Sequence, residues 1–489
     1  MAALSSVRAP CGCSSWAPIQ GRPLSVAGMS ASEQIGLDWV APVALGLALV
    51  AAASATFISK KLGWGPAGAL ALFAATPLVP HVPLGLGLSL DDVLPLLALA
   101  MLGALVPWRK RTPRALLLSW PWAVAFAGLG LMAAAGALSA TVHADSAIEW
   151  LTLLGRGFGR PALLGALATT VVLTKPRWRR RRVAASALAL VGAAEALFGL
   201  VAFLLPLPGA AGLEAARKNS VLYGLVAGRI AGTTGLSPDF MGVILASTAL
   251  LSMGLALDEA RPARSRLWLA ASGVQVLALA LTFTRASLLF FVIAAVVLLL
   301  LHRRPTLVVV TVALIVLVGS QSAVGTRFLR ETTDRLALWT SAVTIMVDHP
   351  LAGVGPGRML DVASADPARY RETPLGPAVS NAHNAVLLAG AETGVLGALG
   401  ASLVLVGFAL GSIATLWHDR KRDAGILRAA ALAALCFVGQ SMTNNLLTVG
   451  VTSVLGYFIV ASFLVDSEAR RVWRLRFPRM RSGSENRTL

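Results

Sequence analysis

"LLSWPWAVAFAGLGLMAAAGALSA", residues 117–140, decides the architecture. It is long enough to cross a bilayer, which takes roughly 20 apolar residues in a helix. "VAPVALGLALVAAASATFI" (40–58) is a second run of the same kind. The whole chain follows them: of 489 residues, 56% are hydrophobic and 13% charged, with a mean hydropathy of +0.74. A soluble protein carries about 25% charged residues. Unpaired backbone cannot sit in lipid, so repeated runs of this length predict an all-α polytopic integral membrane protein.

The formal charge of +19 raises nucleic acid as a partner, but its distribution excludes it. Basic residues fall in short clusters between apolar runs: "WRKRTPR" (108–114), "KPRWRRRR" (175–182), "RPARSR" (261–266), "HRR" (302–304), "DRKR" (419–422) and "RRVWRLRFPRMR" (470–481). Short loops rich in Lys and Arg mark the cytoplasmic side of a membrane. Spans are expected near 40–58, 64–84, 92–107, 115–139, 161–174, 183–206, 238–256, 267–283, 286–301, 306–320, 395–416, 425–441 and 449–465. That makes about 13, or about 12 if the proline-rich 76–88 is a broken or re-entrant segment.

The chain then divides into an exposed N-terminal segment (1–38), a transmembrane bundle (39–320), a large loop (321–394), C-terminal transmembrane helices (395–466) and a basic cytoplasmic tail (467–489). The first segment lacks the basic start and apolar core of a signal peptide, and Met29 is a candidate start. Three cysteines, two of them in "CGC" (11–13), give neither a disulfide framework nor a usual zinc spacing.

Counting back from the basic tail puts 207–237, the turn at 283–286 and 321–394 outside. "GRIAGTTGLSPDFMG" (228–242) carries Arg229 before a glycine-rich turn, and Pro238 suits a helix start. "TFTRASLL" (282–289) sets Arg285 at a tight hairpin on the outer side, where positive charge is disfavoured. Charges at a membrane boundary pair or face a polar cavity, so two outward arginines favour an anion site. The segment 321–394, about 70 residues, exceeds ordinary loop length and reads as functional. "RLALWTSAVTIMVDHP" (335–350) repeats Leu336, Trp339, Val343 and Met346 at helical spacing, as a helix lying on the membrane surface does. "GVGPGR" (353–358) lacks the βαβ setting of a nucleotide loop, and its glycines are assigned to a tight turn.

That loop re-enters through "SNAHNAVLLAGAETGVLG" (380–397), where Asn381, His383, Asn384 and Glu392 crowd the start of an apolar helix. Histidine accepts a proton near neutral pH, and guanidinium groups match phosphate oxygens. Together they suit displacement of a phosphate leaving group by a hydroxyl. His383 would be the general base, with Arg229 and Arg285 offsetting the charge on the departing diphosphate.

The order "RIAGTTGLSPD", "TFTRAS", "RLALWTSAVTIMVDHPLAGVGPG" and "NAHNAVLLAGAETGVLG" resembles the O-antigen ligase and O-antigen polymerase superfamily of bacterial inner-membrane glycosyltransferases, over roughly 228–397. The resemblance implies a metal-independent, cofactor-free enzyme with its active site facing the periplasm. It would take a glycan from undecaprenyl diphosphate and pass it to a lipid A core sugar (ligase) or to a second lipid-linked glycan (polymerase). By the same resemblance His383, Arg229 and Arg285 are the catalytic set, and a flippase or chain-length regulator is the implied protein partner. Asn384, Asn381, Asp239, Glu392, Arg335 and Arg358 are candidates for substrate binding. Asp239 stands where many relatives have Asn, which puts an acid beside the proposed anion site; Ala286 replaces a frequent Gly.

Asp91 and Asp92 form a competing pair at an outer helix start, where carboxylates also oppose the helix dipole. The alternative function, from another class, is a secondary transporter of an anionic solute. Its usual paired, broken helices in matching halves are not evident, because the outward polar residues crowd after residue 207. An inactive relative serving as a scaffold is the third reading.

Overall fold

A computed structural model describes residues 83–85, 88–89, 120–173, 178–204, 225–226, 229–230, 237–304, 322–370, 382–417, 424–447, 455–457 and 459–464. Expected spans 40–58, 92–107 and 306–320, the pair Asp91/Asp92 and Asn381 lie outside them. The helices are α1 (Trp120–His143), α2 (Ala147–Leu154), α3 (Arg160–Leu173), α4 (Trp178–Leu204), α5 (Pro238–Leu257), α6 (Pro262–Leu281) and α7 (Arg285–Leu301). After them come α8 (Ser322–Asp348), α9 (Met359–Ala365), α10 (Pro367–Tyr370), α11 (Ala385–Leu416) and α12 (Ala424–Ser441). Two π-helical segments, Gly155–Gly159 and Val460–Leu464, and two small antiparallel hairpins complete the set: Pro83–Gly85 with Leu88–Ser89, and Leu225–Val226 with Arg229–Ile230. This is an all-α polytopic membrane protein. Among the described residues five helices are long and apolar enough to cross a membrane: Trp120–His143, Arg181–Val201, Pro238–Leu257, Ala385–Leu416 and Ala424–Ser441.

Helix α5 sits at the centre. Pro238 opens it behind the Ser237 cap, and nearly every residue from Met241 to Ala256 is buried, as in a helix apolar all round. Lipid supplies no hydrophobic drive between helices, so small residues and interhelical hydrogen bonds hold them together. Both are present. A β-carbon on Gly128 of α1 would lie 2.6 Å from the Gly400 carbonyl oxygen of α11, so the two backbones all but touch. Deeper in the bundle, Ser252 of α5 donates to Gln275 Oε1 of α6 (3.2 Å), and Gln275 Nε2 donates to the Ala189 carbonyl of α4 (2.7 Å).

The two ends of the bundle differ chemically. Asp258, just past α5, accepts from the N–H groups of Gly425 and Ile426 at the start of α12 (2.9 and 2.7 Å). Arg182 pairs with Glu259 nearby, and Arg428 donates to the Leu301 carbonyl at 3.2 Å. The basic clusters at 178–182, 261–266 and 302–304 adjoin helix ends at this pole. The opposite pole gathers the starts of α5, α7 and α11 and the ends of α6 and α12.

Two local features depart from the pattern read in sequence. Helix α8 buries Leu338, Ala342 and Ile345 in a small core with Leu388, Ala391, Val354, Met359 and Tyr370. Leu336 and Val343 of the expected stripe are exposed, and so is Val347 one turn further along. The helix therefore has apolar residues on two faces, one filled by protein. The second departure is that α11 begins at Ala385, ten residues before the expected span, and breaks its helical path at Gly394 (φ 77°, ψ −173°).

Candidate functional site

Asn384 explains the start of α11. Its Oδ1 caps the helix by accepting from the N–H groups of Val386 and Leu387 (3.0 and 3.1 Å), which would otherwise lack partners. Its Nδ2 donates to the Met442 carbonyl at 3.1 Å, strapping the cap to the turn that follows α12. His383, immediately before the cap, has φ 45°. A non-glycine residue in that region costs about 1–3 kcal/mol and persists only where its surroundings hold it. The same turn holds it, since His383 Nδ1 lies 3.2 Å from Asn444 Oδ1. Arg335 of α8 donates to the Thr443 carbonyl at 3.2 Å. The turn "SMTNN" (441–445) is thus the platform on which His383, Asn384 and Arg335 meet.

Hydrogen bonds and short chain segments link Arg229 and the Arg285 hairpin to the platform. Arg229 donates from Nε to the Thr282 carbonyl (2.8 Å) and pairs through Nη2 with Asp239 Oδ1 at 3.2 Å. The Thr282 and Thr284 hydroxyls are 2.6 Å apart. Arg285 opens α7 beside them, and Ser287, two residues on, donates to Gln440 Oε1. The Gln440 carbonyl accepts from the N–H of Thr443 at 3.0 Å, which closes the path. A cation in the first turn of a helix adds its charge to the positive end of the helix dipole. Arg285 at the start of α7 therefore builds an electropositive spot suited to an anion. Asp239 offsets part of the charge of Arg229.

Glu392 and Arg358 lie in a second constellation, against the Gly394 kink. There the interrupted helix leaves carbonyls without their usual partners, and the loop 350–357 supplies them. The Val354 and Gly355 N–H groups donate to the Ala391 and Glu392 carbonyls (both 3.0 Å), and Val395 N–H donates to the Pro350 carbonyl (2.8 Å). Ser139 of α1 also donates to the Glu392 carbonyl at 3.0 Å. Gly353, Gly355 and Gly357 all have positive φ, and a β-carbon on Gly353 would lie 2.3 Å from the Glu392 carbonyl carbon. The glycines of "GVGPGR" therefore serve a close approach to the helix backbone. Arg358 pairs with Glu149 of α2 and donates to the His143 carbonyl (3.0 Å), while His143 Nε2 is 2.8 Å from the Gly353 carbonyl.

Beyond the kink, Asp348 and Arg369 tie the end of α8 to α10 by two bonds of 2.7 and 2.8 Å. The hydrogen bond from Arg369 holds the Asp348 carboxyl below its ordinary value of 3.8. Desolvation, with the Asp348 carboxylate second, pushes the Tyr370 phenol above 10.0.

Sequence reasoning passed over Asn444, Thr443 and Gln440. The available signal was a run of polar residues, "QSMTNN" (440–445), closing an apolar helix.

The fold and this pole define the class: a multi-pass membrane protein with a polar site assembled from helix ends on the side away from its basic clusters. Residues 270–402 match the family described as O-antigen ligase, which places this segment in the O-antigen ligase and polymerase superfamily. Arg285, Arg335, Arg358, His383, Asn384 and Glu392 fall inside the match; Arg229, Asp239 and Asn444 fall outside it. No curated protein matches the chain. The family match supports a membrane glycosyltransferase role in polysaccharide assembly.

Proposed function

We propose that the chain transfers a glycan from undecaprenyl diphosphate to an acceptor hydroxyl at the periplasmic face of the bacterial inner membrane. The observation that carries this reading is the polar series joining Arg229, the Arg285 hairpin and His383 at one pole. In the reaction the acceptor oxygen attacks the anomeric carbon as its bond to the diphosphate breaks. His383 takes the hydroxyl proton. Arg229 and Arg285 offset the negative charge left on the lipid diphosphate, charge-assisted bonds that strengthen as it departs. Arg335 and Asn384 brace the turn beside His383. The polarity of the basic clusters supports the outward placement of this pole.

The test uses purified protein in lipid with an undecaprenyl-diphosphate glycan as donor. Lipid A core and a second donor molecule are offered separately, with His383→Ala alongside. Transfer to lipid A core defines a ligase, and lengthening of the donor glycan defines a polymerase. Uptake of an anionic solute into vesicles, without any glycan turnover, would replace this reading with a transporter.

A further inference from the structure

We infer that Asn444 is the positioning residue that sets the tautomer of His383, an inference resting on the transfer reaction proposed above. A general base is commonly oriented by a third group, and an asparagine serves that role beside histidine in some hydrolases. Here the geometry is explicit. His383 Nδ1 is 3.2 Å from Asn444 Oδ1, an atom that only accepts hydrogen bonds. The pairing needs the proton on Nδ1, which puts the basic lone pair on Nε2.

Three further features make this a built arrangement. Asn444 is 3% exposed, so its amide is fixed by protein and does not trade freely with water. The residue that it holds has the strained backbone of φ 45°. Its neighbour Met442 grips Asn384, the next residue along from His383, by a separate bond of 3.1 Å. One turn therefore fixes both the backbone path and the ring of the base. Arg335, bonded to the Thr443 carbonyl, braces that turn from α8.

No covalent step is added: Asn444 exchanges no proton in the reaction, and acts only through its hydrogen bond with His383. Removing its acceptor oxygen frees the ring to rotate or to carry its proton on Nε2. The donor diphosphate is held by other residues, so the effect falls on turnover and not on donor binding.

The experiment has two arms on the full-length protein in lipid nanodiscs. In the first, histidine is labelled with ¹⁵N and the His383 signal is assigned by its loss in His383→Ala. Imidazole nitrogen shifts then report the tautomer with no need for substrate. The expected result is a protonated Nδ1 and an unprotonated Nε2 in the neutral ring, reversed or averaged in Asn444→Leu. In the second arm, Asn444→Leu lowers kcat roughly 10²-fold or more while the donor KM stays within about threefold. Asn444→Asp, which keeps an acceptor oxygen, restores at least a tenth of the wild-type rate. A wild-type ring protonated on Nε2, or full kcat in Asn444→Leu, would overturn the inference. Should Asn444→Leu fail to accumulate, the wild-type spectrum and Asn444→Asp still decide. Loss of activity in His383→Ala with full activity in Asn444→Leu sinks only this inference. Full activity in His383→Ala sinks the transfer mechanism itself.

Discussion

Two clusters of charged and polar residues meet helix α11, nine residues apart, and they are built on opposite principles. Around His383 the contacts are few and side-on: a bond of 3.2 Å from the ring, a cap at Asn384 and an arginine laid on a carbonyl. Around Glu392 the contacts are mostly backbone to backbone, and they close a break in the helix. The first arrangement holds its side chains at the surface of a platform. The second uses polar groups to let a loop lie against a kinked helix, which sets where the platform's helix points. Histidine, asparagine, glutamate and arginine near a membrane surface therefore do not announce their role by type alone.

The contrast is most sharply tested by substitutions on either side of it. His383→Ala should lower transfer by roughly 10²–10⁴-fold, the usual worth of a positioned general base. The protein should still accumulate in the membrane at a normal level, seen by blotting. Arg285→Ala should lower activity comparably, because it removes the charge-assisted contact proposed for the leaving group. A normal surface glycan in cells carrying either variant would break the assignment.

On the other side of the comparison, Gly394→Ala should act first on stability. Its φ of 77° and ψ of −173° belong to a region that is essentially glycine's own, and a β-carbon there would sit 2.5 Å from the Pro350 carbonyl oxygen. A cost of about 1–3 kcal/mol is expected, read as a lower melting temperature in detergent. If activity of the surviving fraction is unchanged per folded molecule, the kink is purely structural. A smaller effect follows from Glu149→Ala, which removes the partner of Arg358 at a half-exposed site. It should cost at most about 1 kcal/mol and leave transfer within about threefold. A loss as large as that of His383→Ala would merge the two clusters into one site.

The smallest effect concerns pH. Asp348 is held below its ordinary value of 3.8 by Arg369, so its folded form favours the carboxylate. Such a contact stabilises above the unfolded value and is lost as pH falls through the folded one. Amide protection at the start of α10 should therefore persist down to about pH 4 and weaken only below 3.8. Asp348→Asn should remove that dependence, as hydrogen exchange across this range would show.

How much of this was legible in the chain differs between the regions. Helix α5 and the span beginning after Gly394 were readable because burial in lipid leaves an unbroken apolar run of defined length. The first turns of α11 were not, because Thr393 and Gly394 look like the end of a loop, whereas the loop 350–357 supplies the bonds that let the helix pass through them. Arg229, Arg285 and His383 stood out because charged or titratable groups at a membrane boundary need a reason. Asn444 did not, since an amide near the end of an apolar helix is ordinary until its partner is known.

The sequence by itself determined a polytopic membrane protein, the polarity of its two poles and the residue types available for chemistry. Those follow from hydropathy and charge, which are properties of short stretches. Only the tertiary structure decided that residues 229, 285, 383 and 444 share one pole, and that Glu392 and Arg358 belong to a clasp beside it. Packing between distant helices makes those choices, through close glycine contacts and single hydrogen bonds that leave no periodic trace along the chain.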